Sequence, residues 1–251
     1  MSEVSASSSV WSGRIALGPG WAMFDGRAGD NRTHRHPALQ VALGDGQPAQ
    51  AEIEGRPLEA AGLLIGPNVS HRLQPGVVRL LYVERASASG RRLAATCPQG
   101  ARALSAGECA LLRSLWMSQA EAPMGIEALV ATLTAAPVEA KRQSASLSRL
   151  REVIARLPLQ VAENPSLDAM AAAAALSPSR FAHAFREQTG MAVRPYLRWL
   201  RLARALQAAA RGQSLTAAAH EAGFADAAHF SRTMRRHFGV TPGSVLASLR
   251  A

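Results

Sequence analysis

Apolar residues follow two different rhythms along this 251-residue chain, and the change of rhythm divides it. Up to about residue 100 they come in short runs, Leu39 to Leu43, Leu63 to Ile65 and Val77 to Val83, set apart by Gly44-Asp45-Gly46 and Gly66-Pro67-Asn68. Short runs bounded by Gly, Pro, Asn and Asp predict strands, because those residues supply the backbone angles and local hydrogen bonds of turns. Several such strands imply a small barrel or sandwich. From residue 101 apolar positions recur at three and four, the period of an amphipathic helix. Leu104, Leu111, Leu112, Leu115 and Trp116 form one stretch, Ile126, Leu129, Val130 and Leu133 a second, and Leu147, Leu150, Ile154 and Leu157 a third. The first two suit packing on the strand region or on a second subunit; the third leads into the C-terminal part. Pro137 to Ser146, with the chain's only lysine, Lys141, suits a linker.

Beyond residue 160 the helical pattern is written twice. Ser166-Leu167 opens an Ala-rich run that ends at Leu176, and forty-eight residues on, Ser214-Leu215 opens one that ends at Phe224. Phe181, Phe185, Arg186 and Gly190 are then matched at forty-nine by Phe230, Met234, Arg235 and Gly239, one residue having been added in the turn. Ser166 and Ser214 suit helix N-caps, as do Ser177, followed by Pro178, and Asp226 for the second helix of each copy. Gly190 and Gly239 suit its end. Phe181 with Phe185, and Phe230 with Met234, lie four apart and share one buried face. Each copy therefore predicts a helix, a tight turn and a second helix. Between them Arg194 to Ala210 has no Gly, and its only Pro, Pro195, stands in the first turn. One stiff helix of that length spans roughly 25 Å and fixes the spacing of the two units. Leu197, Leu200, Leu202 and Leu206 supply its apolar contacts, and Gly212 closes it. Two units at a fixed separation suit contact with two successive turns of a DNA groove, whereas a helical solenoid needs three or more repeats.

Charge follows the same division. Residues 145 to 251 hold fourteen Arg and no Lys against six acidic groups, a net of +8, while residues 1 to 144 carry only +2. A basic face on a small helical domain is the footprint of phosphate binding.

With these residues in place, the stretch from about Leu147 to Leu249 resembles the DNA-binding domain of the AraC/XylS family of bacterial transcription regulators. The run Ala222-Gly223-Phe224-Ala225-Asp226, His229-Phe230-Ser231-Arg232 and Phe238-Gly239-Val240-Thr241-Pro242 is similar to the most diagnostic part of that family's pattern; Met234 stands at a usual Phe position and keeps an apolar side chain. The resemblance implies two helix-turn-helix units whose recognition helices enter adjacent major-groove segments of double-stranded DNA. It implies base-reading positions at Ser179, Ala182 and His183 in the first copy and at Ala228, His229 and Arg232 in the second. Arg232 is the strongest of these, since an Arg contacts guanine bidentately. Arg180, Arg186, Ser231, Arg235 and Arg236 suit phosphates, which position the protein without reading sequence. His220 falls on a scaffold helix and reads as structural. RNA polymerase as partner and a homodimer also follow from the family.

In the strand region His34-Arg35-His36, Gln40, Pro67 and His71 resemble a degenerate cupin pattern, in which two His, a Glu and a later His ligate a metal inside a barrel. Gln40 stands at the Glu position, and a neutral amide is a poorer ligand than a carboxylate for divalent ions. Three His could still hold zinc. AraC-like regulators often carry such a domain for a small-molecule effector, so His34, His36, Gln40 and His71 are the candidate effector pocket, with no cofactor required and a divalent metal as an alternative. The fold expected is a two-domain chain: a cupin-like all-β barrel over residues 1–100, a helical connector or dimerisation segment over 101–143, and an all-α DNA-binding domain over 144–251. A rival reading is a metal-dependent cupin enzyme, carried by His34, His36 and His71, fused to a DNA-binding appendage.

Two cysteines, Cys97 and Cys109, make no disulfide framework and fit a reducing cytoplasm. Met1 to Ser9 lacks the apolar core of a signal peptide, and no uncharged run is long enough to span a bilayer. The expectation is a soluble cytoplasmic, nucleoid-associated protein.

Overall fold

The structure is a computed structural model that describes residues 11–18, 20–98, 100–118, 130–131, 133–134 and 145–247. The predicted helix residues Ile126 and Leu129 and the linker up to residue 144 lie outside the described residues. The chain divides into two compact units. The first takes in the chain to Glu84, Ala88–Ala135 and the segment from Met234 onward; the second takes in Arg85–Ser87 and Ala136–Thr233.

The first unit is sheet-rich. Its strands are β1 (Ser12–Gly18), β2 (Trp21–Ala28), β3 (Ala38–Gly44), β4 (Ala49–Ile53), β5 (Arg56–Ala60), β6 (Gly62–Ile65), β7 (His71–Leu73), β8 (Gly76–Glu84) and β9 (Ala101–Ala103). They form a six-stranded sheet in the order β1-β2-β8-β3-β6-β9 and a three-stranded sheet in the order β5-β4-β7. Every pairing is antiparallel. Among the described residues neither sheet closes on itself, so the sheet-rich domain expected from the sequence is present as two open sheets. The large sheet ends on β1 and on the three-residue β9, each hydrogen-bonded on one side only.

The three strands predicted from apolar runs are β3, β6 and β8. All seven residues of β3 are buried. Its two faces are covered by different groups, because successive side chains of a strand point to opposite sides. Leu39, Val41 and Leu43 join Leu64, Leu81 and Val83 in a core with Leu93 of helix α1 (Ala88–Ala95) and Cys109, Leu112 and Trp116 of helix α2 (Ala106–Ser118). Val130 and Leu133 complete that core, so the first predicted helical stretch and part of the second serve the sheet. Cys97 and Cys109 are both free thiols buried there. The start of α2 is fixed by a reciprocal cap: the Glu108 amide donates to Ser105 Oγ at 3.2 Å, and the Ser105 amide donates to Glu108 Oε2 at 2.7 Å. Arg102 grips the same carboxylate with two hydrogen bonds, of 2.7 and 3.1 Å, and holds it down to about 2. The opposite face of β3 presents Gln40.

The second unit is helical. Helix α3 (Ala145–Gln160) buries Leu150, Ile154 and Leu157 and leads through a 3-10 turn, Val161–Glu163, to α4 (Leu167–Ala173). Helices α5 (Pro178–Thr189), α6 (Val193–Ala210) and α7 (Leu215–Glu221) follow. Helix α8 (Ala227–Phe238) runs from this unit into the first one, and α9 (Pro242–Ala247) belongs to the first. The predicted caps form. Ser166 Oγ accepts from the Ala169 amide at 3.1 Å, Ser214 Oγ from the Ala217 amide at 3.1 Å, and Ser177 Oγ from the Arg180 amide at 3.4 Å. Helix α6 is the uninterrupted connector, with Tyr196, Leu197, Trp199, Leu200, Leu202 and Ala205 buried.

Candidate functional site

The two helical repeats match in local hydrogen bonding as well as in sequence. In the first turn the Leu176 amide donates to the Ala171 carbonyl at 3.0 Å, and in the second the Phe224 amide donates to the Ala219 carbonyl at 2.9 Å. Both turns need one residue in the left-handed region: Ala175 at φ 52° and Gly223 at φ 80°. Phe181, Phe185 and Phe230 are wholly buried and Met234 nearly so, which locks the second helix of each copy at its inner face.

That packing decides what is left outside. On α5, Ser179, Arg180, His183 and Arg186 are exposed, while Ala182 is half-buried. His183 Nε2 lies 3.4 Å from the Glu187 carboxylate one turn on, so an acidic group stands beside it. On α8, Ala228, Arg232, Arg235 and Arg236 are exposed and Ser231 is half-buried. His229 is half-buried too, its ring edge-on to Phe224 at 5.2 Å and 88°, and so it also packs the turn. The Asp226 carboxylate caps α8 by accepting from the His229 amide. That hydrogen bond, reinforced by Arg232, holds the Asp226 carboxyl below its ordinary range. His220 is exposed on the scaffold helix α7.

A second constellation lies in the sheet-rich unit. The backbones of His34 and His71 pair through two hydrogen bonds of 2.9 Å, and Gln40 projects from β3 between His36 and His71. His36, Gln40 and His71 are each 1% exposed, and His34 is half-buried at the rim. Each imidazole has Nδ1 on a backbone carbonyl oxygen: His34 on Arg32 at 2.7 Å, His36 on Ala38 at 3.0 Å and His71 on Val69 at 3.0 Å. Gln40 Oε1 lies 3.0 Å from Nε2 of both His36 and His71. The structure thus brings together all four residues of the predicted pocket. One nitrogen from each of the three histidines falls within 4.8 Å of the others.

Burial disfavours the charged form of all three rings. Burial, followed by the neighbouring His71, lowers His34 to about 4; burial, His71 and His34 together hold His36 well below its ordinary value; burial lowers His71. Tyr82 and Phe238 belong to the same cluster and carry no motif. Tyr82 faces Gln40 across the β3–β8 ladder, and its ring meets His36 at 5.2 Å and 73°. Burial pushes its phenol up. Phe238 lies 5.8 Å from His36 and 5.6 Å from Tyr82, ring centre to ring centre.

Comparison with known proteins bears on both regions. Residues 170–248 match the family described as a helix-turn-helix domain. The HTH-type transcriptional activator RhaS of Escherichia fergusonii is 36% identical over 99 residues, which make up 39% of this chain and 36% of that protein. RhaS of Escherichia coli strain SE11 is 34% identical over 101 residues, covering 40% of this chain and 36% of its own. The chain therefore covers little more than a third of these curated relatives. Over most of its length the chain has the fold of ToxT from Vibrio cholerae O395, with a TM-score of 0.61 at 12% identity, covering 92% of this chain and 98% of that one. That likeness establishes the architecture, a sheet-rich N-terminal part followed by a helical C-terminal part. No helix among the described residues is long and apolar enough to cross a membrane. Through its capped, duplicated helical repeats, the C-terminal part of this chain carries a helix-turn-helix domain similar to that of the transcriptional activator RhaS.

Proposed function

We propose that the chain is a sequence-specific regulator of transcription that reads double-stranded DNA with α5 and α8 and senses an effector through its cupin-like N-terminal part. The carrying observation is the buried Phe181–Phe185 and Phe230–Met234 faces, opposite which Ser179, His183, Ala228 and Arg232 are exposed and Ala182 and His229 half-buried; these six are the proposed base-reading positions. In this reading Arg232 supplies the strongest base contact, and Arg180, Arg186, Ser231, Arg235 and Arg236 hold phosphates. The net charge of +8 beyond residue 144 supplies the salt-dependent share of affinity. RNA polymerase and a second copy of the chain are the proposed protein partners. Residues 1–100, 101–143 and 144–251 are the proposed sensing, connecting and DNA-binding segments.

The relatives matched through the helical half are transcriptional activators by name. Solved ToxT structures of the shared fold hold an unsaturated fatty acid and (E)-4-(8-methylnaphthalen-1-yl)but-3-enoic acid, which supports an effector-binding role for the N-terminal part. The test is selection of bound sites from random duplex DNA with the full chain. A recurrent motif, weakened when Arg232→Ala is assayed, is the expected result. Absence of any preferred site, with parent and variant binding all sequences alike, overturns the regulator reading in favour of a non-specific DNA binder.

A further inference from the structure

The exposed side of α5 carries one acidic residue, Glu187, among Arg180, His183 and Arg186. Ser179, His183 and Glu187 follow one another at four-residue spacing and form one exposed stripe along the helix. The Glu187 side chain is 64% exposed, and its carboxylate lies 3.4 Å from His183 Nε2. The other residues three or four positions away are Ala184, Gly190 and Met191, so no lysine or arginine is spaced to neutralise it along the helix. The matching position of the second copy, forty-nine residues on, holds Arg236.

Neither helix stability nor general attraction to DNA accounts for that carboxylate. It stands in the last turn of α5, where the free carbonyl groups form the negative end of the helix and favour cations. Helix α8 follows that preference, with Arg235, Arg236 and His237 in its last turn. In a DNA groove the carboxylate also meets the field of the phosphates, and close approach to the bases strips its water. Those costs are recovered only where the duplex aims a hydrogen-bond donor at the oxygen. Cytosine and adenine both present an amino group in the major groove. Adenine sets its amino group beside N7, an acceptor that repels a carboxylate, whereas cytosine presents a donor alone.

We propose that Glu187 is a specificity-determining residue of the first recognition helix: its carboxylate accepts a hydrogen bond from N4 of a cytosine in the major groove and rejects duplexes with another base there. This rests on the DNA-reading function proposed above. His183, one turn nearer the start of α5, stands beside the carboxylate, and the two form one reading pair. The first copy thus gains by exclusion what the second gains by attraction through Arg232, Arg235 and Arg236.

The test is selection of bound sites from random duplexes by the full chain, followed by titration of selected and random DNA at one fixed salt concentration. The parent should select a C·G pair next to the position that His183→Ala relaxes. Glu187→Gln keeps the side-chain length and replaces a pure acceptor by an amide, which pairs bidentately with adenine. It should turn the preference at that position from cytosine toward adenine, tighten binding to random DNA, and lower the ratio of selected to random affinity by about tenfold. Glu152→Gln, which removes an equal charge from the exposed side of α3, should leave motif and ratio as in the parent. The Tm of Glu187→Gln should equal or exceed the parent's, which separates loss of reading from loss of fold. If Glu187→Gln shifts affinity equally on selected and random DNA, as Glu152→Gln does, Glu187 is a solvated surface charge and the proposal is overturned. A parent motif that survives Glu187→Gln unchanged overturns this proposal alone, whereas a parent with no preferred site overturns the regulator reading along with it.

Discussion

The two helix-turn-helix copies share a backbone plan and differ in what they add to it. Both start a scaffold helix on serine, both turn through a left-handed residue, and both anchor the second helix with apolar side chains four apart. The first turns on Ala175 and caps α5 with Ser177; the second turns on Gly223 and caps α8 with Asp226. On the exposed side the first offers His183 beside Glu187, and the second offers Arg232, Arg235 and Arg236. Shared fold and divergent surface are separable properties: the buried positions set where a recognition helix lies, and the outer ones set what it can read.

The largest effect should fall on what is shared. Phe181→Ala and Phe230→Ala each empty a fully buried aromatic site, at a cost of about 3–5 kcal/mol. Denaturant unfolding should show similar losses, and a cost confined to one copy would break the equivalence of the two anchors. Next comes the divergent surface. Arg232→Ala should weaken specific DNA binding by about 1–3 kcal/mol and relax base preference. His183→Ala should cost less, because its ring already faces a carboxylate, and equal losses in a titration of selected DNA would count against the second copy's larger role.

The turns should give a smaller, opposite pair. A non-glycine residue in the left-handed region costs on the order of 1 kcal/mol. Ala175→Gly should therefore raise stability, offset in part by the freedom glycine adds to the unfolded chain, and Gly223→Ala should lower it by about 1 kcal/mol. Thermal melts that move both variants the same way would show that contacts, not backbone angle, govern the turns. The smallest effect concerns pH. Asp226 has a folded-state value below its ordinary one, so its contribution is complete above the ordinary carboxylate range and lost as pH falls through the lowered value. Amide exchange at the start of α8 should quicken on acidification while the Ser177-capped start of α5 does not; parallel quickening would point to global unfolding.

How far the chain could be read depended on whether its signals were local. Strands β3 and β6 were legible because strands buried on both faces read as apolar runs, and β8 because Val78, Leu80, Leu81 and Val83 are buried within it. Strands β2 and β5 were not: Asp25 and Gly26 interrupt the first, and Arg56, Pro57 and Glu59 make the second polar. Helix α1 was missed as well, since Gly90 and two arginines mask the buried Leu93. The pocket histidines and Gln40 were legible as a spaced motif. Tyr82 entered only through the β3–β8 register, and Phe238 is brought to His36 from two hundred residues away.

The sequence by itself determined the duplicated helices, because caps, turns and four-residue spacings act within a few residues and each is a local hydrogen bond or contact. It also determined the four polar side chains of the sheet-rich unit. Tertiary structure alone decided how the strands are divided between two sheets, since that depends on which edges pair. It alone decided that Gln40 faces two imidazoles, and that the end of α8 lies against one of them. Those outcomes rest on register and on packing between segments remote in the chain, where no single stretch of residues carries the information.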